Sequence, residues 1–206
     1  MAVSWMEVRR YTHNHETLLL NIGAQKNRPK GWLNIDTYPT FGAVYMDATN
    51  MRSLRTASFS AVLCEHMIEH VPKPTALSIC KEIHRILKPG GVSRFVTPDM
   101  HRMCAVLAAP TDKERQYVAL TRRYLGRPEL SDVDVVNIMF RNYGHQYIYT
   151  RAELCQLLAD AGFTATTVTS ADDCDNPIFR NAQGHGRLVG EDLNSLEAFG
   201  IEAQKK

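Results

Sequence analysis

The pentapeptide His66-Met67-Ile68-Glu69-His70 sets two imidazoles and a carboxylate at H-x-x-E-H spacing. On a helix this spacing turns both histidines toward one point, the arrangement by which one class of zinc proteases holds its metal. Glu65 comes directly before it, and a carboxylate beside an imidazole can deprotonate a hydroxyl or help ligate a divalent cation. His145, within Tyr143-Gly144-His145-Gln146-Tyr147, is a further candidate, and Asp99 and His101 closely follow an apolar run. Gly23, Asp36 and Asp47 each close a short apolar stretch. An acid at the end of a strand either caps the next element or accepts charge-assisted hydrogen bonds from ligand hydroxyls, worth about 1.5–3 kcal/mol each. His13, His15, His84 and His185 lack comparable neighbours and read as surface or packing residues.

The elements that must position these groups alternate in type. Residues 18–22 (LLLNI), 32–36 (WLNID), 43–47 (AVYMD) and 59–64 (FSAVLC) are short apolar runs, the form of strands buried within a parallel sheet. Residues 74–87 then place Leu77, Ile79, Ile83, Ile86 and Leu87 at helical spacing, Pro89-Gly90-Gly91 is a stop signal, and 92–96 supplies a fifth strand before Pro98. Strand, helix and strand make a right-handed crossover. Only twelve positions separate Gly23 from Ile35, too few for a strand and a full helix, so the intervening helix is predicted to shrink to a turn around Arg28-Pro29-Lys30-Gly31. Residues 100–145 break the alternation: 111–125 reads as an added helix and 127–143 as irregular, together an insertion over the carboxyl edge of the sheet. A helix beginning at Thr150 or Arg151 stops at Gly162, and β-branched residues predict a strand over 163–169. Residues 1–16 read as an N-terminal extension, and the tail from Asp172, with Asn176-Pro177, Gly184, Gly186 and Gly190, as loop-rich.

Composition bounds the rest. With 206 residues, 44% hydrophobic and 22% charged, the chain suits a single α/β domain rather than a disordered segment or a fibre. Its 24 basic and 22 acidic residues are dispersed, which argues against a nucleic-acid partner. Cys64, Cys80, Cys104, Cys155 and Cys174 form no C-x-x-C pair and are odd in number, so neither a disulfide framework nor a cysteine zinc site is expected, and a reducing cytoplasm fits. The first residues lack the apolar core of a signal peptide, and no run reaches the roughly 18 apolar residues of a membrane span.

The stretch FSAVLCEHMIEHVPKPTALSICKEIHRILKPGGVSRFVTPD, with its K-P-G-G turn, resembles the fourth strand, following helix and fifth strand of class I S-adenosylmethionine-dependent methyltransferases. The similarity runs over residues 17–170 and points to the small group related to the ubiquinone and sugar methyltransferases. It implies a Rossmann-like α/β fold with a mostly parallel central sheet, a shortened first helix and a helical insertion after strand five. It also implies S-adenosyl-L-methionine as cofactor, held by Asn21, Gly23 and Ala24 at the first turn, by Asp36 on the ribose hydroxyls, by Asp47 and Ala48 near the adenine, and by Cys64 on strand four. The glycine-rich turn of the family here reads N-I-G-A-Q, so Gln25 stands at the second glycine and narrows the approach of the backbone to a ligand. A nicotinamide dehydrogenase would use the same sheet edge, but G-x-G-x-x-G is absent.

In this family H-x-x-E-H opens the helix after strand four, which implies structural roles for Glu69 and His70. Glu65 replaces a small polar residue, and with His66 it ends strand four, where the methyl acceptor approaches. Residues 144–150 resemble the family segment G-H-x-x-x-Y-T, and Asp99 and His101 are expected to border the same pocket. His145, Glu65 and His66 are thus the expected catalytic set, acting directly or through a cation such as Mg2+, and they favour an oxygen acceptor. The compact chain is similar to actinobacterial sugar and polysaccharide O-methyltransferases, including those of methylmannose polysaccharides. That implies a small-molecule or oligosaccharide acceptor and allows a homodimer. Two other readings are an N-methyltransferase of an amino sugar or natural product and a non-catalytic protein that keeps S-adenosylmethionine as an allosteric or structural ligand.

Overall fold

The computed structural model describes residues 2–38 and 41–206, with side chains from Trp5 onward. Its chain order is α1 (Ala2–Asn14), β1 (Leu19–Ile22), β2 (Leu33–Asp36), β3 (Val44–Tyr45), β4 (Phe59–Glu65), α2 (Lys73–Ile86), β5 (Leu87–Pro98), α3 (Met100–Ala108), α4 (Asp112–Leu125), α5 (Asp132–Arg141), α6 (Arg151–Asp160), β6 (Ala165–Ser170), α7 (His185–Val189), α8 (Glu191–Glu197) and β7 (Ala198–Gln204). The strands form one sheet ordered β3-β2-β1-β4-β5-β7-β6, in which β7 runs antiparallel to both its neighbours. The order reverses beside β1, and in open α/β sheets ligands sit outside the carboxyl ends of the strands at such a switch.

Alternation on β4 divides the interior. Val62 and Cys64 face one way, into the main core with Leu20, Ile22 and the apolar stripes of α2 (Ile79, Ile83, Ile86) and α6 (Leu154, Leu157, Leu158). Ala61 and Leu63 face the other way and pack with Trp32, Cys174, Phe179 and Ala182. The turn over 28–31 leaves no helix between β1 and β2, and the tail covers this face instead. A third cluster joins α3, α4 and α5 through Met103, Tyr117, Val118, Val135 and Met139, with Leu193 of α8 added.

Helices α4, α5 and α6 each begin with a reciprocal capping box, Thr111–Glu114, Ser131–Asp134 and Thr150–Glu153, which satisfies end N–H groups locally. The parallel order and the helical insertion match the expectation from sequence, while four local readings need correction. Residues 127–143 contain α5, because Ser131 caps a run whose Val135, Val136, Ile138 and Met139 face inward. Lys88-Pro89-Gly90-Gly91 does not end the helix, which closes at Ile86; it is an irregularity inside β5, where pairing passes from Phe59–Leu87 to Ala61–Val92. Residues 1–16 are no mere extension: Val8 of α1 enters the core, and the Tyr11 hydroxyl donates to Leu19 O (2.9 Å) and accepts from Leu19 N (3.0 Å). The loop-rich tail is irregular only up to about residue 184, after which it carries α7, α8 and a seven-residue strand buried at six positions.

Arg94 on β5 explains why the tail holds its path. Its guanidinium is fully buried and donates to Gln183 Oε1 (2.7 Å), Thr169 Oγ1 (2.8 Å), Glu202 Oε1 (3.2 Å) and the carbonyls of Ser170, Ala171 and Asp173. A Cβ at Gly200 would stand 2.7 Å from this guanidinium, so β7 needs a glycine where it crosses. A buried charge is tolerable only when paired and hydrogen-bonded in this way.

Candidate active site

Parallel register brings the expected cofactor residues to one edge. Asn21 pairs with Asn34 and Leu63, and Ile22 with Ile35 and Cys64, so Gly23, Asp36 and Glu65 emerge side by side. Gly23 has φ +70°, and a Cβ there would lie 2.6 Å from Cγ of Met67, which packs onto the turn. Gln25 also takes a positive φ, +33°, a conformation that L side chains rarely adopt and that glycine accepts freely. The buried Asp36 carboxylate accepts from Gln25 N (2.8 Å) and Tyr38 N (2.7 Å). A carboxylate offers about four acceptor positions, so two stay free for a diol such as a ribose. Asn21 donates to Asn27 O (2.8 Å) and Asn34 Oδ1 (3.0 Å), while Ala24 N is tied to Ile35 O at 3.0 Å. Asp47 is exposed and accepts from Thr49 N and Oγ1, Ala48 beside it is buried, and Cys64 is buried in β4.

Next to this edge lies a cavity of about 410 Å3. Gln25 and Lys26 of the first turn form one side, Tyr117, Thr121 and Tyr124 of α4 with Val135, Ile138 and Met139 of α5 another, and Leu188, Val189, Leu193 and Glu197 of the tail the third. Four imidazoles reach it: His66, His70, His145 and His185. Asp99 and His101, expected at its border, do not line it; Asp99 caps α3 through His101 N and pairs with Arg151 at 3.0 Å.

The predicted catalytic trio divides on inspection. Nδ1 of His145 lies 2.5 Å from Met139 O, a contact that requires Nδ1–H to donate and leaves Nε2 with its lone pair. Burial lowers the His145 pKa, opposed in part by Glu69, so the neutral ring is favoured. His66 takes a positive φ (+46°) at the turn out of β4 and stacks on His185 with centroids 3.7 Å apart. Its Nδ1 faces Glu69 Oε1 at 3.3 Å and its Nε2 lies 3.2 Å from Asn194 Oδ1. Burial alone would lower the His66 pKa, but the Glu69 contact, with Glu197 and Glu65 nearby, pushes it up to about 9. His66 is then an imidazolium with both N–H groups directed at acceptors, a fixed charge rather than a base.

Glu65 does not face the acceptor cavity. Its carboxylate accepts from Gly184 N (2.8 Å), His185 N (3.2 Å) and Asn27 Nδ2 (2.9 Å), clasping the start of α7 against the end of β4. Every contact of this acid is structural, and the expected proton-taking role of Glu65 has no geometry behind it in this conformation. His185, read from sequence as a surface or packing residue, lines the cavity instead, as does Glu197, for which the sequence suggested no role, with His185 Nε2 3.4 Å from Glu197 Oε1. Their only sequence signal was the apolar spacing of Leu193 and Leu196 on α8, short enough to pass for loop.

A mostly parallel seven-stranded sheet with a reversed β7, a glycine turn after β1 and an acid closing β2 defines the class I methyltransferase architecture. A family model described as a methyltransferase domain matches residues 3–168, and the chain belongs to that family. Among solved structures, a SAM-dependent methyltransferase from Archaeoglobus fulgidus is similar in fold, with TM-score 0.53 and 14% identity over 99% of this chain and 94% of that one. A Thermotoga maritima protein described as a possible histamine N-methyltransferase gives TM-score 0.52 and 19% identity, covering 98% and 89% of the two chains. In sequence, 37 residues are 57% identical to a ubiquinone biosynthesis O-methyltransferase of Xanthomonas oryzae pv. oryzae, a match spanning 18% of this chain and 15% of that protein. His185 and Glu197 lie beyond the residues matched by the family model. No helix among the described residues is long and apolar enough to cross a membrane.

Proposed function

We propose that this chain transfers a methyl group from S-adenosylmethionine to a hydroxyl of a small acceptor, a sugar or short oligosaccharide, in the cytoplasm. The observation that carries this reading is the cavity: it adjoins the Gly23–Gln25 turn, is walled by the insertion and the tail, and is lined by His145, whose Nδ1 is held by Met139 O. Gly23, Asp36 and Asp47 would hold the cofactor, which supplies an electrophilic methyl group. The enzyme must then align the acceptor oxygen with that methyl and exclude water, since in-line displacement needs little covalent help. His145 would take the hydroxyl proton and leave the acceptor oxygen free to receive the methyl group that the bound cofactor would supply from its sulfonium.

Tyr117, Tyr124 and Tyr143 add flat, amphipathic walls of the kind that pack against sugar rings, and a volume of about 410 Å3 suits one or two rings. Oxygen is favoured over nitrogen as acceptor because a neutral amine attacks without losing a proton first, whereas this pocket offers a proton acceptor. Five free cysteines support the reducing compartment. Calorimetric titration with S-adenosylhomocysteine, then a transfer assay on a panel of sugars and amines with labelled S-adenosylmethionine, tests the reading. It predicts micromolar binding and label on an ether oxygen. No heat at millimolar ligand removes the basis of the proposal, and label on nitrogen overturns the oxygen assignment.

A further inference from the structure

Glu69, on the short 3-10 turn after β4, is fully buried. Thr97 Oγ1 donates to its Oε2 at 3.1 Å, whereas Oε1 makes no hydrogen bond and has only the ionic contact with His66. An ionised carboxylate oxygen with one imidazole beside it at 3.3 Å keeps acceptor capacity for a further partner. His70 and His145 stand beside it with ring centroids 4.8 Å apart, and one ligand atom from each of Glu69, His70 and His145 lies within 4.8 Å of the other two. The carbonyl of Met139 behind His145 Nδ1 fixes the tautomer and aims Nε2, the support that metal-binding imidazoles have from their second nitrogen. Thr97 does the same for the carboxylate.

We propose that Glu69, His70 and His145 form a binding site for one divalent transition-metal ion, zinc or a near neighbour, with a coordination position open to the acceptor cavity. Two imidazoles and one carboxylate suit Zn2+, Co2+, Fe2+ or Mn2+, and not Mg2+, which prefers oxygen ligands and retained waters. Zinc–ligand bonds of about 2.0–2.2 Å put tetrahedral ligands ~3.4 Å apart, so atoms that lie within 4.8 Å of one another need to close by at most about 1.4 Å, within the reach of small side-chain rotations. Oε1 keeps a lone pair for the ion while still facing His66. This gives Glu69 and His70 a ligating role in place of the structural one expected from sequence, and it moves the cation away from Glu65 and His66. A second trio, His66, His185 and Glu197, has similar spacing, but both nitrogens of His66 already face acceptors. With the ion bound, His145 Nε2 is a ligand and no longer a free base, and the ion takes over that task by acidifying a bound acceptor hydroxyl; this use rests on the methyl-transfer reading, whereas binding of the ion does not.

Tag-free protein, stripped with a chelator and dialysed, is titrated with Zn2+ by calorimetry and with Co2+ by its visible absorption, and separately with S-adenosylhomocysteine. One equivalent of metal is expected to bind. His70→Asn and His145→Gln, both on the cavity wall and checked for folding by thermal melts, should each weaken metal binding at least tenfold and leave S-adenosylhomocysteine binding unchanged. His185→Ala should leave metal affinity as it was. No stoichiometric metal binding by folded wild-type protein at millimolar Zn2+ and Co2+ overturns the site, as does wild-type affinity in both the His70 and His145 variants. Loss on His185→Ala with His70→Asn unaffected also overturns it. If metal fails to bind and S-adenosylhomocysteine binds, the metal site alone falls; if the reverse holds, the site stands and the transferase reading falls.

Discussion

At the scale of single residues, His145 and Asp36 separate chemistry from binding. His145 presents one lone pair to the cavity and spends its other nitrogen on Met139 O. General-base help is worth about 10²–10⁴ in rate, so His145→Ala should lower turnover within that range while S-adenosylhomocysteine affinity, by calorimetry, stays near wild type. Asp36 has the opposite signature. Its carboxylate holds Gln25 N and Tyr38 N and still offers acceptor positions. Asp36→Asn keeps the shape but removes the charge and one of the two acceptor oxygens, so one backbone N–H loses its acceptor; binding of S-adenosylhomocysteine should weaken at least tenfold, a change of about 1.4 kcal/mol, in protein shown to be folded by its thermal melt. Unchanged affinity in the folded variant would show that the acid of β2 does not face the ribose.

At the scale of elements, the tail decides what the cavity is. Glu65 joins β4 to the start of α7, so Glu65→Ala leaves buried Gly184 N and its neighbour without an acceptor, at about 1–3 kcal/mol. Hydrogen exchange should quicken over 183–190 while β1 and β4 keep their protection, and Glu65→Gln, which retains a carbonyl oxygen, should restore part of the loss. Central strands were legible in the sequence because burial on both faces leaves uninterrupted apolar runs, as in 59–64. Strand β7 was not legible, because AFGIEAQ mixes glycine and glutamate with its apolar residues, and only the buried Arg94–Glu202 pair explains that glutamate. Likewise Glu65 looked catalytic since sequence shows an acid at a strand end and cannot show the chain that returns over a hundred residues later to occupy it. Helix α5 was hidden by its aspartates, which cap its first turn rather than break it.

For the molecule as a whole, Glu114 and Glu153 contribute to the acid limit of stability. Hydrogen bonds from the Tyr147 hydroxyl (2.6 Å) and Lys73 (3.2 Å) lower the Glu153 pKa from 4.5 to about 2. Burial would raise that of Glu114, but bonds from Thr111 and Arg102 bring it from 4.5 to about 2 as well. Folded pKa values below the unfolded ones mean that the unfolded chain binds the extra protons, so this stabilisation is full above about pH 4.5 and disappears as pH falls toward about 2. Urea midpoints should therefore drop between about pH 6 and about pH 3, and Glu114→Gln with Glu153→Gln should flatten the decline. The position of β7 also bears on synthesis. Among the described residues β6 pairs with β7 alone, and β7 also covers one side of β5, so every residue up to 197 can leave the ribosome before either hydrogen-bonding edge is closed. A nascent chain stalled anywhere in α7 or α8 carries a long, apolar β5 with an open ladder, the kind of surface that templates aggregation. Closure of this side of the sheet therefore waits on residues 198–204, whatever follows them, because nothing made earlier pairs with this edge of β5 among the described residues.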